Sequence, residues 1–534
     1  MELLVLLIQL LDLGRRGSRE AGDVHDHAGG IAGRRGAEQP LAQHFDAALD
    51  HAEGLGRYAA GGGQRERDRD GRAQGSKPAR THRADSYQIA RHAGGALALG
   101  IAVTLGGAAS AEPAPATRPA YRELRFDEDW SALADPSALP SQDLFDPLKY
   151  VELGDSVWVS FGGQLRARIE SWDDYDFSED QVIGLGRVLA HADFHFGESV
   201  RFFIEGKSAS STDPGVFDGT RPGDVDWLDL QNAFLELSGE KLRLRLGRQE
   251  LGFGRQRLVS PLDWANTRRT FDGATLEWLG EDWHSTLFAN RPVKVRADDW
   301  NSHQDREAFY GLHATRRAEG TQPRLDLYTY GIEAEDGDGR FFTLGGRASG
   351  PIPDTRFDYD LEVAGQLGSD DFDALMVATQ LGWWLPDQRL SPRFFVGFDW
   401  ASGSRDGVFD PLFPLGHAYL GAIDVIGRSN ILAASAGVTM RPLPAVTTEL
   451  VAHQFWLDDP SAGLFAADSR PVRPGFFSNR HDVGAEIDLV GRWQIDPHTA
   501  LFAGYAHFFP GAFVEDTGPA GATDFFYGMV QYTF

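Results

Sequence analysis

Arginines recur at every second position in this sequence: Arg166 and Arg168 in GGQLRARIE, Arg243 and Arg245 in KLRLRLGRQ. Arg248, Arg269 and Arg347 extend the set. In an extended chain, residues two apart point to the same side, so each pair presents two guanidinium groups together. A guanidinium captures a carboxylate through two parallel N–H donors. Gln231 in LDLQNAFLEL adds a neutral amide, and Glu486 and Asp488 in GAEIDLV repeat the spacing with the opposite sign. His417 and Tyr419 in GHAYLG are flat rings with polar edges, suited to touching a sugar ring. This is the chemistry of electrostatic selection, not of bond breaking. The chain has no cysteine, which excludes a thiol nucleophile, a Cys-ligated zinc site, an iron–sulfur cluster and disulfides. There is no G-x-S-x-G elbow and no H-E-x-x-H motif. His191 and His195 share one face of a strand but stand roughly 13 Å apart, too far to share a metal. No catalytic residue, metal site or cofactor is expected, and an outer-membrane hydrolase ranks as the weaker alternative.

Residues of this kind need a scaffold that holds them on one face over a long distance. The chain has 534 residues and a net charge of −27. Residues 1–111 hold 14 basic and 13 acidic residues, so the acidity lies beyond them. An acidic surface argues against nucleic acid as a partner, because phosphates need a basic face. Residues 1–80, rich in Ala, Gly, Arg and His, read as an unstructured extension or as sequence upstream of the true translation start. Residues 81–111 read as a signal peptide. Arg91 and His92 precede the apolar run ALALGIAVTL, and Ala109-Ser110-Ala111 forms an A-x-A cleavage site. Residues 112–155 are expected to be a periplasmic lead-in with at most a short helix.

From 156 to 534 the pattern is strict alternation. Phe161, Gly163, Leu165, Ala167 and Ile169 oppose Gln164, Arg166, Arg168 and Glu170. Eighteen such stretches follow one another, from 157–171 to 525–534, separated by turn-rich gaps. Helical periods are almost absent. The final stretch alternates to the last residue, with Tyr532 and Phe534 on one face. A water-soluble strand ending on an exposed aromatic invites aggregation. At the end of a membrane strand it is a recognition signal for the outer-membrane assembly machinery. These features predict an all-β fold: a single transmembrane antiparallel β-barrel of about 18 strands in the lipid of the bacterial outer membrane. A barrel of this size leaves a lumen too wide for side chains alone to fill. The charged face then lines that lumen, and arginines there favour anions. Opposite charges pairing across the wall is the competing reading. The acidic runs near 173–176, 298–299, 333–338, 370–371 and 458–459 fall in loops.

Four segments resemble the signature of the alginate export family of outer-membrane barrels: 242–278 (LRLRLGRQELGFGRQRLVSPLDWANTRRTFDGATLEW), 409–431, 448–459 and 482–495. The resemblance implies an 18-stranded monomeric barrel that passes an anionic polyuronate or related solutes by diffusion. It assigns Arg166 to the pore lining, and it matches Arg248 and Gln249 to an Arg-Gln pair of the family. It also implies departures: Gln231 and Glu250 stand where the exporter has arginines, as do Phe502 and Gly504. General passage of small solutes is the alternative function. Deletion of Phe534 is expected to reduce sharply the heat-modifiable, folded fraction recovered from outer membranes; normal recovery would sink the terminal-signal reading.

Overall fold

The computed structural model describes residues 118–534, apart from 140, 176, 178, 213–222, 304–306, 319–321, 335–339, 369–372 and 406. The extension 1–80 and the signal segment 81–111 lie outside the described residues. Alternating apolar and polar residues can satisfy two unlike environments at once only as strands, and the chain forms eighteen long ones. They are β1 (Val157–Tyr175), β2 (Glu179–Phe196), β3 (Val200–Ser211), β4 (Asp226–Ser238), β5 (Leu242–Gln249) and β6 (Phe271–Leu279). Next come β7 (Trp283–Lys294), β8 (Glu307–Arg316), β9 (Arg324–Ala334), β10 (Phe341–Pro351), β11 (Phe357–Gly368) and β12 (Asp373–Trp384). The last six are β13 (Arg393–Ala401), β14 (Ile431–Leu443), β15 (Val446–Leu457), β16 (Asp482–Gln494), β17 (Thr499–Pro510) and β18 (Thr523–Thr533).

Each strand pairs antiparallel with its successor, and β18 returns to β1 with Gln164 opposite Thr533 and Asp173 opposite Asp524. The sheet therefore closes on itself. Closure pairs every wall strand on both sides, which hydrocarbon demands.

The sorting of residues identifies the two faces. In β11, Leu361 and Val363 are 41% and 44% exposed, whereas Asp360 and Glu362 are 4% and 5% exposed. A water-soluble protein sorts these types the other way. The apolar residues face lipid and the charges face the lumen. Phe161, Ile169, Leu235, Leu312, Leu344 and Phe398 extend the exposed apolar band around the wall.

Because the strands run up and down in turn, connections alternate between the two ends. One end carries 197–199, 239–241, 280–282, 352–356, 444–445 and 495–498, together with the C-terminus. The other carries 212–225, 250–270, 402–430, 458–481 and 511–522. Short turns mark the periplasmic end of such barrels and long loops the outer one.

The structure departs from the simple hollow cylinder in two ways. Loops 250–270 and 402–430 fold inward. Leu262, Trp264, Phe409, Leu420, Ile423 and Ile426 are buried, within the same apolar cluster as the inward rings of Phe271, Phe309 and Tyr330 or beside it. Residues 118–150 also enter the barrel, at its short-turn end. The Phe126 ring lies 6.0 Å from Phe203 and 5.4 Å from Phe234 on the inner faces of β3 and β4. The apolar Phe126 and Trp130 draw this segment inside, since outside it they would face water.

Leu361→Arg places a cation on the lipid face. It should cost about 2–4 kcal/mol in denaturant titrations of barrels folded into vesicles. An unchanged midpoint would contradict the assignment of faces.

Candidate pore constriction

Within the lumen, an inward loop meets an arginine wall. Arg166 on β1 and Arg187 on β2 are cross-strand partners, and both point inward. Opposite them, the chain at 263–265 turns its carbonyls outward from the loop. Arg166 donates to Asp263 O at 2.5 Å, Trp264 O at 2.9 Å and Ala265 O at 2.8 Å. Arg187 donates to Asp263 O at 2.7 Å and Ala265 O at 3.1 Å, and to the Asp263 carboxylate at 2.6 Å. Arg168 donates to Trp264 O at 2.8 Å and sits beside Glu170 at 2.9 Å. These contacts answer an accounting problem: a loop buried in a lumen must find donors for its carbonyls.

Trp264 joins the parts. The Arg168 guanidinium lies 3.7 Å above its ring, His417 stacks on it at 5.3 Å, and Tyr527 meets it edge-on at 4.9 Å. His417 belongs to the second inward loop, so Trp264 couples the two. Main-chain bonds do the same. Val259 and Phe413 form a parallel bridge, with Ser260 N donating to Phe413 O and Phe413 N to Leu258 O, both at 2.9 Å. Arg269 adds bonds to Ser260 O and Pro414 O, at 3.3 and 3.4 Å, one in each loop.

The second loop is seated on β16. Ile423 N donates to Glu486 at 2.9 Å, and Ala422 N bonds Asp488. Gly421 has a φ of +93°, and a Cβ there would collide with the Glu486 carboxyl. Asp488 also stands 3.5 Å from His453. His417 bonds Asp424 at 3.2 Å. The Tyr419 hydroxyl donates to Arg255 O, and the guanidinium groups of Arg257, Arg428 and Arg255 surround its ring at 4.7, 5.5 and 5.9 Å.

The remaining expected residues are held in ion pairs or amide bonds within the wall. Arg245 bonds Glu236 at 2.8 Å, and Arg243 bonds Glu277 at 3.2 Å. Arg248 bridges Asp229 and Asp272, both at 2.8 Å. Arg347 bonds Asp360 at 2.5 Å and Asp326 at 2.9 Å. Gln231 donates to Glu250 at 3.0 Å, and Glu250 in turn accepts from Arg268 at 2.5 Å. Opposite charges therefore pair locally in space, because antiparallel strands bring residues distant in the chain side by side. Tyr532 and Phe534 lie at the seam, where the Phe534 main chain exchanges bonds with Gly163 at 2.8 and 3.0 Å.

Arg187, Asp263 and Trp264 were not anticipated as site residues. On β2 the inward face also carries Ile183, Leu185 and Leu189, so alternation there is blurred. A Trp and an Asp in a loop give no periodic signal.

Charge around Asp263 is strongly asymmetric. Burial alone raises the Asp263 carboxyl, but Arg187, Arg268 and Arg166 hold it well below the usual carboxylate range. At the short-turn end, burial pulls the Lys149 ammonium down to about 8, with Glu128 acting the other way.

A closed wall of eighteen strands, apolar outside and charged inside, crossed by an arginine-held loop, defines an outer-membrane channel. The chain belongs to the alginate export family, whose model matches residues 157–528. Solved structures agree on the fold. The chain is similar to Pseudomonas aeruginosa OprD (TM-score 0.51, 14% identity), covering 72% of this chain and 96% of that one. It is similar to Acinetobacter baumannii OccAB1 (TM-score 0.53, 9% identity), covering 70% and 96%. The third is Pseudomonas aeruginosa OccD3 (OpdP) (TM-score 0.51, 12% identity), covering 72% and 92%. No curated protein matches the chain in sequence.

Asp263→Asn leaves the desolvated Arg187 and Arg268 without their shared carboxylate. The expected cost is about 3 kcal/mol at neutral pH, the low end for a broken buried pair. A depressed pKa gives stability that is complete above the unfolded value, near pH 4, and is lost as pH falls through the folded one. The gap between wild type and variant should thus close only in strong acid. Denaturant titration across pH checks it; a gap that closes near pH 6 would contradict the arrangement.

Proposed function

We propose that this channel passes small acidic saccharides by diffusion, favouring anions over cations. The reading is carried by Arg166. Its hydrogen bonds run to three main-chain carbonyls. Carbonyls satisfy the donors without cancelling the charge, whereas Arg245, Arg248 and Arg347 each face carboxylates. A fixed cation where the loop crosses the lumen lowers the barrier to anions and raises it to cations. The positive charge left there attracts the carboxylate of a uronate. Membership of the alginate export family supports uronates as the substrate class. The inward loops favour short fragments over a long polymer, because two loops paired across the lumen leave little room for a continuous chain. No bond is made or broken in the substrate, and no energy source is required.

Reversal potentials in planar bilayers test the charge term. The wild type should favour chloride over potassium, and Arg166→Gln should lower that ratio several-fold. A cation-selective wild type, or an unchanged ratio in the variant, overturns the anion reading. Liposome swelling with monomeric uronate, neutral hexose and polyuronate tests size and class. Faster uptake of the monomeric uronate is expected, and equal rates for uronate and hexose would favour a general porin.

A further inference from the structure

Residues 118–150 precede the barrel and are not needed to close it, yet they are built into its mouth. Phe126 is 3% exposed and fills the gap between Phe203 and Phe234. Arg201 on β3 donates to Phe126 O at 2.8 Å, and the Arg245 guanidinium lies 4.3 Å over its ring. At its other end the segment is fastened to the seam. Lys149 is fully buried, donates to Phe534 O at 3.1 Å, and lies 4.7 Å over the Trp130 ring. Asp143 meets His498, in the turn between β16 and β17, at 2.7 Å. Val151–Gly154 then pairs with the first residues of β1, which overhang the end of β18.

The segment therefore runs along one side of the short-turn mouth, from the β3–β5 wall to the seam, and reaches inward to loop 250–270. It also touches the constriction. Glu123 accepts from Gln256 at 3.0 Å through its carboxylate and from Arg268 at 3.2 Å through its carbonyl. Arg268 is the residue that pairs with Asp263 and Glu250. One strap thus contacts the mouth and the inward loop together.

We infer that residues 118–150 form a plug that closes the periplasmic mouth, held by Phe126 and coupled to loop 250–270 through Glu123. The asymmetry of its anchors supports a hinged plug. The end near the seam is held by a buried cation, a backbone pairing and aromatic packing. The Phe126 end is held by ring packing with Leu124, Phe203 and Phe234 beneath the Arg245 guanidinium, by one carbonyl bond and through Glu123, with no backbone pairing to a strand. Release at the weaker end swings the segment out while the seam stays latched. It also removes the Glu123 bonds from Gln256 and Arg268, so opening the mouth loosens the constriction loop in the same motion.

This inference rests on the channel reading, and its test separates the two. The chain has no cysteine, so a disulfide arises only between introduced residues. The full mature chain carrying Phe126→Cys and Phe234→Cys is compared, oxidised and reduced, with wild type and with Phe126→Ser in planar bilayers. Heat-modifiable migration confirms the folded barrel in each, since the wall bonds are untouched. The expected result is little or no conductance for the oxidised pair, recovery on reduction, and at least a several-fold higher open probability for Phe126→Ser than for wild type. Equal conductance of oxidised and reduced forms, or wild-type gating in Phe126→Ser, overturns the plug while leaving the channel reading intact. Absence of current in every form, with folded barrel present, overturns the channel reading and the plug with it.

Discussion

A strand in hydrocarbon has no water to satisfy its N–H and C=O groups, so it must find another strand on each side. For this chain the demand falls hardest on the first and last strands, which are separated by the whole barrel sequence. Their pairing, from Gln164 with Thr533 to Asp173 with Asp524, is what makes a wall out of a ribbon. Gly163 lies at this seam, where a Cβ would press on the Phe534 ring, 2.8 Å away, and on a neighbouring carbonyl. Once the wall is closed, its inner face is fixed, and every other feature follows from what that face must satisfy.

The inner face collects charges, most of them buried against one another and the inward loops. Isolated, each would be costly to bury; paired and hydrogen-bonded, they hold strands in register. Arg347 between Asp326 and Asp360 joins β9, β10 and β11 in this way. Where the wall offers arginines without enough carboxylates, at Arg166 and Arg187, it recruits the carbonyls of an inward loop instead. The constriction is thus the wall's own solution to unsatisfied donors.

The wall was legible in the sequence because lipid imposes a two-residue period that survives in the residue types. The eighteen strands, their count and the terminal strand ending at Phe534 all express that one constraint. Strand ends were less legible: β1 runs to Tyr175, beyond the expected 171, since its outer part continues to pair past the apolar stretch. The inward loops were legible only in part. His417 and Tyr419 stood out as rings that belong inside, and they are buried or half-buried within the lumen. Their neighbour Trp264 did not, because its partners Arg168 and His417 are about a hundred residues or more away along the chain. The segment 118–150 carried a weaker trace. Phe126 and Trp130 are apolar residues among aspartates, but nothing in that spacing says which surface covers them.

The two inward loops lie across the lumen like a tie-beam between opposite walls. One foot stands on β1 and β2 through Arg166 and Arg187, the other on β11 through the bonds between Asp410 and Gln366, and the join is the Val259–Phe413 bridge. The wall is a ladder in which each strand depends only on its neighbours, so it can be inherited unchanged. The beam, by contrast, is made of two loops that the closure of the wall does not require. Beam and cylinder are therefore separable parts, and the passage can be reshaped by rebuilding the beam while the cylinder around it stays as it is.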